Sequence, residues 1–321
     1  MRQRFLFDIS VLLFVAACSP VPTPSLREPV TFVLQAGGPL TRSADPDEDR
    51  ISDYNLLVYN AMGELEEKLY VSDREMEAQG ASVSCSLRLV KGLPHSILAA
   101  VNLGYELPRL SLAEAMEYRY HMAYPDEFIG GIPMAGRLEN FLPRAETVIR
   151  LERLMARVSI RIDRRTLDPE VDLKIREVKL GNCPSSVCLF DRSCAQTQEQ
   201  LFLLGFLKEG HSCEPLNREE ALGWSLELPF YLLENCQGNG LKPSVCSYVE
   251  IKASYNSPSW SSKPGEYLIY RFYLQDTPGQ YDVIRNNHYH IIVRPEGDGL
   301  QCEDLWRMNR EGLQPNAGTG P

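Results

Sequence analysis

His288 and His290 stand two residues apart in a run that alternates polar and apolar side chains. In an extended strand that spacing puts both imidazoles on one face, the geometry of a two-histidine metal ligand pair. No carboxylate or third histidine lies close by in sequence, so the expectation is a pair of surface imidazoles on an edge strand. Cys183, Cys188 and Cys194, with His211 and Cys213 downstream, hold enough sulfur and nitrogen for zinc but lack the paired CxxC spacing of a structural site. Asp45, Asp47 and Asp49 place carboxylates at i, i+2 and i+4 as a calcium loop does. Arg50 stands where that loop needs glycine, and Leu56 where it needs a bidentate glutamate. A solvated turn is expected there. The sequence has no G-x-S-x-G elbow, phosphate-binding glycine loop or H-E-x-x-H, and nothing singles out a carboxylate pair. The reading is therefore of a chain that is not an enzyme, with no catalytic residue, no metal and no cofactor.

The thiol with a definite chemistry is Cys18. Residues 5–17, FLFDISVLLFVAA, form an apolar core behind Arg2 and Arg4, too short to span a bilayer, with the charged start and small-residue end of a bacterial export signal. Ala16 and Ala17 ahead of Cys18 resemble a lipobox, with Val15 where leucine is commonest. An ordinary signal peptide that ends near a cysteine is the alternative. In the lipobox reading the signal, residues 1–17, is cut ahead of Cys18, which then carries acyl chains. Each chain contributes about 0.8 kcal/mol per buried methylene, so two or more hold a protein firmly on a membrane without spanning it. Residues 18–29 are proline-rich and aperiodic and read as an extended spacer. The other cysteines, Cys85, Cys183, Cys188, Cys194, Cys213, Cys236, Cys246 and Cys302, are even in number. In an exported chain that permits disulfides, with the connectivity left open.

Most of the remaining chain must supply scaffold, and its dominant period is two. Val30, Phe32 and Leu34 share one face; so do Val83, Cys85, Leu87 and Leu89; Val158, Ile160 and Ile162; Trp224, Leu226, Leu228, Phe230 and Leu232; Val249, Ile251, Ala253 and Tyr255; and Leu268, Tyr270, Phe272 and Leu274. These read as half-buried antiparallel strands. Val171, Leu173 and Ile175 lie on one parity and Val178 and Leu180 on the other, which a β-bulge between Ile175 and Val178 would reconcile. Ser111 and Glu114 form a capping-box pattern before a short helix, and residues 198–208 read as a second one. Many strands with few helices give an all-β chain of packed sheets. At 321 residues it is long enough for two sandwiches, dividing near residues 150–156. A net charge of −10 with scattered Lys and Arg argues against nucleic acid as a partner.

Several segments in series resemble the fimbrillin superfamily of Bacteroidales, in particular FimB-type lipoproteins that anchor type V pili. They are VTFVLQA followed by Thr41 and Arg42, DYNLLVYNAMGEL, IPMAG at 132–136, TVIRLERLMARVSIRID, YLLENCQG at 231–238 and DVIRNNHYHIIV at 282–293. The resemblance covers nearly the whole mature chain. It implies two transthyretin-like Greek-key β-sandwiches in tandem, an N-terminal unit over 30–152 and a C-terminal unit over 153–300, with residues 301–321 as a tail. It also implies contacts by strand exchange with fimbrial shaft or accessory subunits, and a lipid-anchored place on the outer membrane at the fimbrium base.

In shaft subunits of that superfamily a protease cuts after an arginine, and Arg42 follows the first strand in a comparable place. TRSADPDED is polar, however, and makes an exposed loop whether or not it is cut. The tail has no sustained alternation, unlike a shaft-type donor strand, which favours a terminal role, either an anchor or a non-polymerising relative; a short donor around Leu300 to Leu305 is the alternative. Gly136 and Gly238 read as turn residues, Asn286 and Asn287 as a bend, and Tyr289, Ile291 and Val293 as a core face. The competing functional reading is a surface module that binds glycans or a host protein, with Trp224, Trp260 or Trp306 as its platform. Trp224 fits an inward strand position, which leaves Trp260, in the loop YNSPSWSSKPG, as the exposed aromatic contact.

Overall fold

The computed structural model describes residues 26–37, 46–76, 80–122, 131–163, 166–191, 202–203, 207–209, 223–258, 267–298 and 306–309. The fold is all-β. Its first half contains β1 (Arg27–Ala36), β2 (Tyr54–Tyr59), β3 (Leu65–Val71), β4 (Ser82–Val90), β5 (His95–Val101), β6 (Arg119–His121), β7 (Met134–Phe141) and β8 (Glu146–Arg153). The second contains β9 (Met155–Asp163), β10 (Asp172–Gly181), β11 (Cys183–Pro184), β12 (Ser186–Cys188), β13 (Phe202–Leu203), β14 (Leu207–Glu209), β15 (Gly223–Leu233), β16 (Tyr248–Asn256), β17 (Leu268–Tyr273), β18 (His288–Pro295) and β19 (Trp306–Asn309). Within the stretch read as a tail, β19 pairs antiparallel with β18.

In the first half, a seven-stranded sheet in the order β3-β2-β5-β7-β8-β1-β4 wraps one core. Val30, Phe32 and Leu34 of β1 meet Leu56 and Val58 of β2, Leu89 of β4, Ile97 and Ala99 of β5, and Ile149 of β8 there. In the second half, sheets ordered β14-β10-β16-β17 and β15-β9-β18-β19 close on Val158, Ile160, Val178, Leu180, Phe230, Leu232, Val249, Ile251, Tyr289 and Ile291. Alternation along these strands has its plain cause: one face is apolar core and the other is wet or polar.

Not every pair is antiparallel. β1 lies antiparallel to β4 but parallel to β8, and β9 lies antiparallel to β15 but parallel to β18. In each half the first strand thus lies parallel beside a later one, β8 or β18, a closure that period-two patterning cannot reveal because it says nothing of direction. The bulge falls where the parity change requires it, with β10 slipping register against β16 between Ile175 and Glu177. The capping box forms in full: Ser111 Oγ accepts from the Glu114 amide at 3.3 Å, and the Glu114 carboxylate accepts from the Ser111 amide at 2.8 Å. The helix, α1 (Leu112–Glu117), stops before Tyr120, which is buried in β6.

Two local readings are corrected. The second helix expected over 198–208 is strand wherever it is described: Phe202 and Leu203 pair with β11, and Leu207 to Glu209 pair with β10. Its apolar run lacks a polar face, so sheet edges take it up. Gly136 lies inside β7 rather than in a turn, and a Cβ on it would stand 2.4 Å from the Arg150 carbonyl oxygen of β8. Close backbone approach, and not a turn, requires glycine there. Gly238 does occupy a left-handed conformation (φ +75°), as does Asn286 (φ +61°).

Candidate functional site

Cys18, Arg42 and Trp260 lie outside the described residues, as do Cys194, His211, Cys213 and Cys302. Trp224 and Trp306 lie in β15 and β19. Among the described residues no three His, Cys, Asp or Glu side chains gather as a metal set would require. Cys188 is disulfide-bonded. Cys85 and Cys183 are buried free thiols whose pKa desolvation pushes up to about 12. A thiol so raised stays protonated and is a poor nucleophile or ligand. Among the described residues no helix is long and apolar enough to cross a membrane.

What the fold brings together instead is a junction between its two halves. β2 and β5 are buried on both faces, because the face turned away from the first core is covered as well. Leu57, Tyr59, Leu98, Ala100, Tyr120 and Met122 of the first half pack there with Met155, Val187, Leu189, Phe190 and Leu233 of the second. The cover is an excursion of the second half, residues 185–190. β12 pairs antiparallel with β6, the Met122 amide donates to the Ser185 carbonyl at 2.8 Å, and the Leu189 amide to the Tyr118 carbonyl at 2.9 Å.

Ionic groups fix that excursion. Arg285 and Glu234 are both buried, and the Arg285 Nε donates to Glu234 Oε2 at 2.8 Å. The same guanidinium donates to the Cys188 carbonyl at 2.8 Å and the Leu189 carbonyl at 3.4 Å. Beside it, the Asn235 Nδ2 donates to Ser247 Oγ at 2.7 Å, and the Gly238 amide to Asp282 Oδ1 at 2.8 Å. Glu234, Asn235 and Gly238 belong to YLLENCQG and Asp282 and Arg285 to DVIRNNHYHIIV, so the two phrases meet in space as one polar assembly.

A second ionic group corrects the solvated-turn reading at Glu48 and Asp49, while Asp45 lies outside the described residues. Residues 46–49 form a 3-10 turn in which Glu48 is only 4% exposed. Glu48 Oε1 pairs with Arg157 Nη1 of β9 at 3.0 Å and accepts a hydrogen bond from the Tyr231 hydroxyl of β15. Asp49 pairs with Arg153, whose Nη1 also donates to Asn286 Oδ1 at 3.1 Å. Arg157, outward with respect to its own core, thus faces the other half of the molecule.

The two histidines do share a face and stack, with ring centroids 6.2 Å apart; β18 runs between β9 and β19, but β19 pairs with it at Ile292–Pro295, beyond the histidines, which pair with β9. His288 Nε2 shares a hydrogen bond with Ser159 Oγ at 2.7 Å. Desolvation first, then the positive field of Arg157 and His290, lower its pKa from 6.5 to about 4, against a smaller opposing effect of Glu48. The fold therefore favours the neutral ring. The unfolded chain binds the extra proton between about pH 6.5 and pH 4, so this contribution to stability is complete above pH 6.5 and is lost as pH falls toward 4. Urea denaturation at steps from pH 4 to 7 should give a midpoint that rises with pH, and His288→Gln should flatten that rise.

Several solved structures have a similar fold. The chain superposes on the tip fimbrial protein Mfa3 of Porphyromonas gingivalis, with C-terminal truncation, at a TM-score of 0.56 and 13% identity, over 88% of this chain and 98% of that one. It matches a fimbrilin, FimA, of Porphyromonas gingivalis W83 at 0.58 and 16%, over 87% and 92%. The fold is fimbrillin-like. A fimbrial assembly protein of Parabacteroides distasonis matches the same fimbrillin-like fold at 0.55 and 14%, over 89% and 96%. At these identities the likeness is one of fold. A family model described as a domain of unknown function, DUF4906, matches residues 230–293, the segment that carries Glu234, Asn235, Asp282 and Arg285. No curated protein matches the sequence significantly.

Proposed function

We propose that the chain is a structural fimbrial protein, tethered to the outer membrane through lipid on Cys18, which anchors or helps assemble a fimbrium by strand-exchange contacts with pilin. The observation that carries the reading is a fimbrillin-like fold starting within ten residues of a lipobox-like cysteine. We read the units of that fold as 30–152 and 153–300. β1 lies between β8 and β4, with nine residue pairs against β4. A slot of that kind, or an open sheet edge, suits an extended segment from a neighbour, held by main-chain hydrogen bonds and alternate side chains.

In this reading the chain is not processed at Arg42. A cut there would sever β1 and its lipid from every other strand, leaving the tether dependent on non-covalent pairing. Metabolic labelling with an acyl-chain probe should mark the parent and not Cys18→Ala, and mass spectrometry should find Cys18 and Arg42 in one continuous mature chain. Cells making Cys18→Ala should release fimbriae into the medium, and fimbriae held as firmly as in the parent would end the anchoring reading.

A second reading, an adhesin-like module for glycans or a host protein, draws support from the outer face of β16 and β17. The Arg271 guanidinium lies 4.2 Å over the Tyr248 ring and Lys252 Nζ 4.4 Å over the Tyr267 ring. Gly181 leaves room for Tyr248, since a Cβ there would stand 2.0 Å from its ring. Trp260 lies in the connection between those strands. Glycan-array binding that disappears with Trp260→Ala would favour this reading over anchoring.

A further inference from the structure

Leu26, Leu93 and Leu142 are 67%, 54% and 55% exposed, among the most exposed large apolar side chains described. Singly, exposed leucines mean little. These three share one rim. The Lys91 amide donates to the Leu26 carbonyl at 2.9 Å, and Leu93 sits in the short turn between β4 and β5. His95, which opens β5, pairs with Phe141, the last residue of β7, and Leu142 follows it. The backbone therefore gathers a strand start, a turn and a strand end at one pole of the first half.

That pole is also where the chain leaves toward Cys18. Seven residues, 19–25, separate Cys18 from Leu26, and three of them are proline. Extended at about 3.1 Å per residue, the connection reaches roughly 25 Å. A lipid on Cys18 would thus hold this rim within roughly 25 Å of the bilayer.

We propose that the rim is a membrane-contact surface, in which Leu26, Leu93 and Leu142 enter the lipid interface while Lys91 and Arg144 stay at headgroup level. Lys91 has an exposed side chain paired with Glu28 at 2.6 Å, and Arg144 lies 5.9 Å over the Phe141 ring at the same pole. Long basic side chains keep their charge wet while their stems cover apolar surface. Convex tips at a turn and two strand ends suit insertion into fluid lipid better than packing on a rigid protein face. The intrinsic affinity need only be weak, because a short tether supplies an effective concentration in the millimolar range. The inference rests on lipidation of Cys18 for its delivery and fixes what that lipidation alone leaves open: which end of the fold touches the membrane, and that the spacer does not hold it clear.

The test is hydrogen exchange on the lipidated full chain, in detergent and in vesicles of phosphatidylethanolamine and phosphatidylglycerol. Amides of 91–94 and 142–145 should be protected in vesicles and not in detergent. The triple variant Leu26→Ser, Leu93→Ser, Leu142→Ser should lose that protection while remaining lipidated. In the untethered Cys18→Ala background the same triple change should lower partitioning into the vesicles by about tenfold or more. A lipidated, vesicle-bound protein without protection at the rim overturns the contact and leaves the tether standing. Absence of lipid on Cys18 overturns the tether on which the contact depends. Protection that appears only after fimbrial subunits are added assigns the rim to a protein and overturns the proposal.

Discussion

Arg285→Ala is expected to lower the stability of the protein by about 3–5 kcal/mol, the range for removing one partner of a buried ion pair. Arg285 is 3% exposed and Glu234 4%, so water cannot replace what the mutation removes. The guanidinium acts on two elements at once, pairing with Glu234 at the end of β15 and donating to the Cys188 and Leu189 carbonyls of the excursion. Alanine takes the cation from a buried carboxylate and one donor from each carbonyl. Arg285→Lys keeps the charge but cannot present several donors in a fixed plane, so it should recover only part of the loss. Replacing both Arg285 and Glu234 with apolar residues should cost less than Arg285→Ala alone, since no buried charge is then stranded. Urea unfolding followed by circular dichroism gives the three values. A loss below about 1 kcal/mol for Arg285→Ala, the range for exposed pairs, would show that the ion pair does not hold the excursion in place.

The same residues show how far the sequence could be read. Strands with one wet face were legible, as in Val158 and Ile160 of β9 or Val249 to Tyr255 of β16, and so was the bulge after Ile175, because a parity change in apolar residues has few other causes. The capping box was legible because Ser111 and Glu114 act within one turn of chain. β2 and β5 were not. Leu56, Leu57, Val58 and Tyr59 are all buried, and a strand covered on both faces loses the alternation that marks it. Part of the second cover comes from Val187, Leu189 and Phe190, which lie beyond β8 in the other half of the chain, so no local pattern announces it.

Charge was misread for a related reason. Glu48 and Asp49 stand in an acidic, proline-containing run that suggests solvent, yet their partners Arg153, Arg157 and Tyr231 come from β8, β9 and β15. One clue was present. Arg153 and Arg157 stand at the break between TVIRLE and ARVSIRID, where two units would meet and opposite charges would be needed. Arg285 and Glu234 had a different signal: both fall in phrases singled out for resemblance, but two such phrases do not reveal that they touch.

The second large effect concerns how the halves unfold. Leu189→Ala is expected to destabilise the protein by about 2–5 kcal/mol, the usual range for leucine truncation in a core. The size of the loss matters less than its distribution. Leu189 is fully buried among Leu57, Leu98 and Tyr120 of the first half and Met155 and Leu233 of the second, so its cavity opens on both. Val158, by contrast, packs only within the second core. Native-state hydrogen exchange should therefore show faster opening of β2, β5 and β18 together in Leu189→Ala, whereas Val158→Ala should act on β18 and leave β2 and β5 close to the parent. If Leu189→Ala left β2 and β5 unchanged, the third core would be a passive cover and the halves would open independently. A joint response would mean that a pull on either half is resisted by both, which the proposed anchoring role would require.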